Sequence, residues 1–212
     1  ITYRIVLDGR TKWLRGRTGT TLDAGGKPKT SIGVVKDITD QKERERELRS
    51  LNETTRKLLR ADSRGEILRT ARDNAAELFG VSTADVRGFE PETGCLRPMP
   101  CLTRNDRLLT TERIAAGRQI WSVFENGEPQ IVVPECEGAP AAVLVVPLGD
   151  HGVLVVDADE TGGIGSRRLE LAGVLSSAIA AALDRGERNR ALEAKTEMLG
   201  ERAEQLEYVN DL

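Results

Sequence analysis

The sequence predicts an α+β protein: a central antiparallel sheet flanked by helices, preceded by a smaller three-stranded sheet and carrying long connecting and exit helices. Three observations predict it. Val143-Leu144-Val145-Val146-Pro147-Leu148 and Val153-Leu154-Val155-Val156 are continuous apolar runs rich in β-branched residues, split by the turn Gly149-Asp150-His151-Gly152. Runs this apolar imply burial on both faces, so they are expected as central strands with helices packed against them. Between Lys36 and Leu59 the chain changes from strand-type to helix-type sequence. From Ser166 a third pattern begins, a helix that need not stop before Leu212.

In chain order, residues 1–8, 11–22 and 29–38 read as strands, with Asp8-Gly9 and Ala24-Gly25-Gly26 as hairpin turns. The run Thr30-Ser31-Ile32-Gly33-Val34-Val35 feeds into Gln41-Lys42-Glu43-Arg44-Glu45-Arg46-Glu47-Leu48-Arg49, a dense mix of opposite charges with no strand pattern. Thr39 or Asp40 is expected to cap this helix over 40–61. Leu48, Leu51, Thr55 and Leu58 follow at 3-4-3 spacing, a narrow seam suited to pairing with another helix. A strand running straight into such a helix passes on a change rather than performing chemistry.

Ser63 with Glu66 makes a capping box for a second helix from about Gly65 to Leu78, ended by Phe79-Gly80. Its apolar face is Ile67, Leu68, Ala71, Ala75 and Leu78. Ala84–Glu90 and Cys95–Met99 flank Pro91-Glu92-Thr93-Gly94 as a hairpin, and a short strand or loop is expected around Leu108-Leu109. Ile120, Val123 and Phe124 share a face of a short helix that Gly127 stops and Pro129 keeps from resuming. Gln130–Val133 is a further strand. The last helix is rich in small residues over Leu169–Leu183, which let another surface approach closely. From Glu187 it is charged, with Leu192, Leu199 and Leu206 seven apart and Thr196, Ala203 and Asn210 in the other seam positions. Such a helix is marginal alone, so a partner chain is expected to stabilise it.

At 212 residues the chain can hold one or two domains. A net charge of −3 gives no electrostatic case for nucleic acid or a membrane surface as partner. No apolar run approaches the ~20 residues of a membrane span. Three cysteines, Cys95, Cys101 and Cys136, match no disulfide framework or zinc pattern, so a reducing cytoplasm is the default expectation. The abrupt start in strand-type sequence suggests a piece of something longer.

Two stretches carry family resemblances. Gly33-Val34-Val35-Lys36-Asp37-Ile38-Thr39-Asp40 resembles the end of a PAS domain, whose last strand closes on a G-x-x-x-D-I-T motif before a signalling helix. Asp8-Gly9 followed by Trp13 resembles its preceding strands. The resemblance covers about the first fifty residues and implies a C-terminal PAS part at 1–40 and a helical linker at 41–61. Glu77-Leu78-Phe79-Gly80, the "G…W-x-V-F-x-x-G-x-P" stretch at 117–129, the strand pair at 146–156 and Ala181-Ala182-Leu183-Asp184-Arg185 resemble a GAF domain over 62–185, with a coiled-coil exit helix at 186–212. GAF domains are α/β modules that bind small molecules or dimerise, and the resemblance alone does not choose between these.

Candidate chemistry is sparse. For an organic ligand the resemblance implies a pocket with Trp121 and Phe124 as an apolar wall and Arg97 or Arg118 as a polar anchor, although both aromatics are equally natural as core. Arg97 and Arg104 lie near Cys95 and Cys101, and a nearby cation is what lowers a thiol pKa, which makes Cys95, Cys101 and Cys136 redox candidates. Buried or loop cysteines without a chemical role are the favoured reading of all three. His151, the single histidine, sits in a turn and is not expected to be a phosphoacceptor. The acidic Asp157-Ala158-Asp159-Glu160 is read as a solvated strand exit rather than a metal site. Leu206–Leu212 resembles the lead-in to the phosphoacceptor helix of archaeal PAS/GAF sensor histidine kinases, yet neither that histidine nor a Gly-rich ATP-binding stretch is present.

The expectation is therefore a sensory relay fragment of a sensor histidine kinase, not itself an enzyme. It is expected to be cytoplasmic and homodimeric through helices 41–61 and 166–212, with a possible small-molecule ligand and no direct contact with nucleic acid or membrane. A sensory module of a bacterio-opsin-activator-like transcription regulator is the alternative, and a thiol-based GAF reductase a third. Signal and cofactor are left unassigned.

Overall fold

The computed structural model describes residues 1–7, 9–81, 83–99, 113–134, 140–158 and 165–210, with the backbone alone over 203–210. Cys101, Cys136, Arg104, the segment around Leu108-Leu109, and Asp159 with Glu160 lie outside the described residues. The chain divides into two compact units, Ile1–Ser50 and Leu51–Leu212.

The first unit is an antiparallel sheet in the order β1 (Thr2–Leu7), β2 (Arg10–Leu22), β3 (Pro28–Asp37), followed by the start of helix α1 (Thr39–Arg60). Asp23 closes the second hairpin, its Oδ1 accepting from the N–H groups of Gly25 and Lys27 at 2.9 Å each. The strand-to-helix joint uses a different cap from the expected one. Thr39 Oγ1 accepts from Trp13 N–H at 3.0 Å, tying the joint to β2. The first-turn N–H of Thr39 instead donates to Asp37 Oδ1 at 2.9 Å, as does the Thr39 hydroxyl at 2.6 Å. The Arg46 guanidinium lies 5.4 Å from the centre of the Trp13 ring, a cation–π contact about two turns into the helix.

The Thr39 hydroxyl and then its backbone N–H hold the Asp37 carboxyl below the usual carboxylate range, with Lys12 adding to the effect and desolvation opposing it. A folded pKa below the unfolded one makes the contribution present above the ordinary carboxylate value and lost as pH falls through the depressed one. The Thr39 amide resonance is therefore expected to hold its position through the pH range where free aspartates titrate and to move only at more acid pH. A shift midpoint at the ordinary aspartate value would refute the cap.

The second unit contains helix α2 (Arg64–Phe79), strands β4 (Ala84–Glu90) and β5 (Cys95–Pro98), helix α3 (Gln119–Asn126), strands β6 (Gln130–Val132), β7 (Val143–Pro147) and β8 (Gly152–Asp157), and helix α4 (Ser166–Asn210). Half of the expected capping box is present as drawn: Ser63 Oγ accepts from Glu66 N–H at 3.2 Å, while Glu66 Oε2 accepts from the N–H of Asp62, one residue before the cap, rather than from that of Ser63. Gly80 closes α2 and Gly127 closes α3, both in the left-handed conformation.

The sheet runs β5-β4-β8-β7-β6, antiparallel throughout, with β7 and β8 in or next to its centre as their composition requires. Alternate residues divide it into two faces. Val86, Leu144, Val146, Leu154 and Val156 face α2 and the first half of α4, meeting Ile67, Ala71, Phe79, Leu175 and Ile179 in one core. Leu96, Val143, Val145, Val153 and Val155 form the other face with Ile120, Trp121 and Val123 of α3. The small residues of α4 serve the first face: Ser176 Oγ donates to the Pro147 carbonyl at 2.6 Å, and Ala172 and Ala182 are buried.

Leu51 and Leu58, half of the α1 seam, pack into this same core, and the Leu58 carbonyl accepts from Arg185 Nη2 of α4 at 2.9 Å. That part of α1 is covered by its own chain, while Leu48 and Leu59 remain exposed.

Candidate functional site

The face of the sheet beneath α3 is the more unusual of the two. Phe89 of β4 stands on the same face as Leu96, its register partner on β5. Its ring lies 6.0 Å edge-on from Trp121 and 5.1 Å from Phe124, and the last two rings are 5.3 Å apart. Three rings at these separations form a mutually packed cluster. Trp121 is only 8% exposed, and its indole N–H finds no acceptor among the described residues. A buried N–H without an acceptor costs roughly 1–3 kcal/mol. A ligand oxygen or nitrogen is one means of removing that cost.

The alternation that places Phe89 there also places Asp85 and Arg87 on this face, opposite Val155 and Val153 of β8. Both are buried, and Arg87 Nη2 lies 3.4 Å from Asp85 Oδ2. Sequence inspection did not single them out. An aspartate and an arginine two apart on a strand ordinarily signal the solvated face, and the burial of both side chains reverses that reading.

The sequence-derived ligand residues are only partly brought together. Trp121 and Phe124 meet. Arg118 is exposed at the start of α3, one turn from Trp121, and its carbonyl accepts from Ser122 N–H at 3.1 Å. Arg97 stands opposite Gly88 on β5, so it projects to the side of the sheet away from Leu96 and the aromatic rings. Its Nε lies 3.1 Å from Glu90 Oε2 in a half-exposed pair.

Of the redox candidates, Cys95 alone lies within the described residues. It is buried, its thiol donates to the Thr93 carbonyl at 3.3 Å, and Arg113 Nη2 approaches the sulfur at 3.8 Å. Among the described residues no group of three or more His, Cys, Asp or Glu side chains is arranged to hold a metal ion.

His151 is buried in the β7–β8 turn, and its ring meets two carboxylates of α4: Nε2 lies 2.9 Å from Asp184 Oδ1 and Nδ1 3.2 Å from Glu187 Oε1. Both contacts are hydrogen bonds at once only when each ring nitrogen carries a hydrogen. Arg64, at the start of α2, adds Nη1 at 3.5 Å from Glu187 Oε1 and donates from Nη2 to the His151 carbonyl at 3.4 Å. These four residues bind α2, the central turn and α4 together at the level where α4 leaves the core. Helix α3 covers one face of the sheet and this knot lies at its β7–β8 turn, where the His151 carbonyl accepts from the N–H of Phe89, a member of the aromatic cluster, at 2.9 Å.

No protein-family model matches the sequence, and no curated protein matches it. The structure is similar to that of the GAF domain from a phosphoenolpyruvate-protein phosphotransferase of Coxiella burnetii, with a TM-score of 0.54 and 17% identity over 68% of this chain and 96% of that one. The α+β architecture, antiparallel sheet flanked by helices, is thus GAF-like. No helix among the described residues is long and apolar enough to cross a membrane.

Proposed function

We propose that this chain is a sensory relay module: a small molecule bound beneath α3 biases the central sheet, and α4 carries the change to an output domain. The observation that carries the reading is the buried Trp121 N–H without an acceptor among the described residues, set inside an aromatic cluster next to the buried Arg87 and Asp85. Aromatic walls with a few inward polar groups are how a protein holds and orients an organic ligand. The output side is supported by α4, whose first half belongs to the core and whose second half runs on as exposed helix. A two-state change in how α4 sits on β7 is the element both ends would bias.

The parent is read as a sensor histidine kinase of the PAS/GAF type, in which residues 1–40 are the end of a PAS domain and the working unit is a homodimer. The GAF-like fold and the motif Asp37-Ile38-Thr39 ahead of a charged helix support this reading. A transcription regulator is the alternative for the same modules. Reading the gene past Leu212 decides: a histidine and an ATPase domain, or a basic helical domain.

Native mass spectrometry of the chain tests the sensory part, with Trp121→Phe as the comparison. The intact chain is expected to carry an added organic mass, or to acquire one from a metabolite extract. Trp121→Phe gives up part of the buried indole packing and removes the unpaired N–H, two effects of opposite sign that leave the unliganded stability little changed, while ligand affinity falls about five- to tenfold. A chain that binds nothing, or a variant that binds as well as the parent, refutes the site.

One observation favours a second, redox reading: a guanidinium beside the buried Cys95 sulfur. Alkylation of Cys95 in the folded chain faster than in a free thiol peptide would support it, and burial-limited labelling would dismiss it.

A further inference from the structure

His151 is the only histidine of the chain, and its backbone and its ring serve different partners. The carbonyl belongs to the sheet, accepting from Phe89 N–H beside the aromatic cluster. The ring, 6% exposed, belongs to α4: Asp184 Oδ1 meets one ring nitrogen and Glu187 Oε1 the other. The two carboxylates are three residues apart and so lie on one side of the helix. They stand where α4 passes from Leu183, which is buried in the core, to the exposed run that begins at Glu187.

The charges packed around the ring come from two helices. Helix α4 brings Asp184 and Glu187, and α2 brings Arg64, with Nη1 3.5 Å from Glu187 Oε1. Strand β4 adjoins the turn through Gly88 and Phe89, neither of them charged. Asp150, in the turn itself, is exposed to water. Arg185 is turned to the Leu58 carbonyl of α1, and Arg188 donates from Nε to the Asp184 carbonyl rather than to its carboxylate.

With a hydrogen on each ring nitrogen, two cations face two carboxylates and both ring contacts are charge-assisted hydrogen bonds. With one hydrogen removed, a nitrogen lone pair is set against a carboxylate oxygen. Arg64 alone then faces two like charges three apart on a helix, an arrangement that repels. Carboxylates and guanidinium groups ordinarily keep their charges between about pH 5 and 8, the range in which an imidazole changes its own. The ring is therefore the member of this group that switches.

We infer that His151 is a proton-operated latch on α4. The doubly protonated ring ties the β7–β8 turn to the helix where it leaves the core, and loss of one proton frees that level of the helix. The tie is complete on the acid side of the ring's titration and is lost as pH rises through it. The inference rests on the relay reading above for its consequence downstream, and it adds an input that needs no ligand. Asp184 and Glu187 are 58% and 52% exposed, so water weakens the tie and the effect is moderate.

The test is hydrogen exchange of the backbone amides from Leu183 to Arg190 in the full chain without ligand, each rate corrected for the intrinsic pH dependence of exchange. The His151 ring proton resonance is followed in parallel, and as the sole histidine it is identified without ambiguity. The open population of this stretch is expected to rise about three- to tenfold over the pH interval in which that resonance moves. Asp184→Asn with Glu187→Gln, at two half-exposed positions outside the core, should leave the ring titrating and abolish the rise. His151→Gln should give a flat profile as well, and the α4 double variant carries the test alone if that protein does not fold. An open population that stays constant while the ring titrates overturns the latch, as does a rise that survives in the double variant. Either result leaves the ligand site beneath α3 standing, and a failure of ligand uptake does not touch this measurement.

Discussion

Gly152→Ala is expected to lower the stability of the second unit by on the order of 3 kcal/mol or more. Gly152 starts β8 with φ at +135°, a conformation that side-chain-bearing residues rarely adopt. A Cβ at this position would stand 2.0 Å from the Arg87 carbonyl oxygen and 2.9 Å from Gly88 Cα. These are backbone atoms of the neighbouring strand, paired to β8 in register, so no side-chain rotation relieves the overlap. Relief requires β4 and β8 to part at the end where the His151 carbonyl accepts from Phe89 N–H at 2.9 Å. A loss of this size is a large fraction of the net stability of a domain. Gly173→Ala is the matched control: it lies inside α4 with open space around it, and removing helix-interior glycine is expected to stabilise by roughly 0.5–1 kcal/mol. Urea midpoints followed by circular dichroism measure both. A Gly152→Ala variant within 0.5 kcal/mol of the parent, inside the scatter of ordinary surface substitutions, would mean that the β4–β8 crossing is not held as described.

Legibility of this fold in the sequence followed the range of the interactions involved. Short-range signals were enough for the strands at Val143 and Val153, for the Ser63–Glu66 cap and for the glycine stops at Gly80 and Gly127, because each depends on neighbours within a turn or a pleat. The seam on α1 illustrates the next level. Its 3-4-3 spacing correctly marks an apolar stripe, but spacing does not say whose surface covers it, and Leu51 and Leu58 turn out to meet the core of their own chain. Arg97 shows the same limit on a sheet, since alternation assigns sides only once the register with β4 is known. The His151 knot depends on residues 33 and more positions away, and no local pattern reports it. The residues on which sequence inspection was silent, Asp85 and Arg87, are those whose local pattern points the wrong way.

That pair is also where the second large effect is expected. Arg87→Met should destabilise the second unit by roughly 3–5 kcal/mol, the range seen when one member of a buried ion pair is removed. Arg87 has no exposed surface and Asp85 almost none, so water does not screen the charge that the substitution leaves behind. Loss of aliphatic packing is not the cause, because methionine replaces most of the arginine stem. The combined variant Asp85→Leu with Arg87→Met separates the two contributions. Replacing both charges by apolar groups of similar volume removes the desolvation cost together with the attraction, and such exchanges are often neutral or stabilising. The double variant is therefore expected to recover most of the single variant's loss in chemical denaturation, giving a coupling energy of more than about 1 kcal/mol. If the losses simply add, the two side chains are independent of each other. If the double variant folds well and still takes up the same organic mass as the parent, the charges serve the sheet alone. Stability recovered with ligand uptake abolished is the result expected from the proposed ligand site, in which the bound molecule would touch this buried pair.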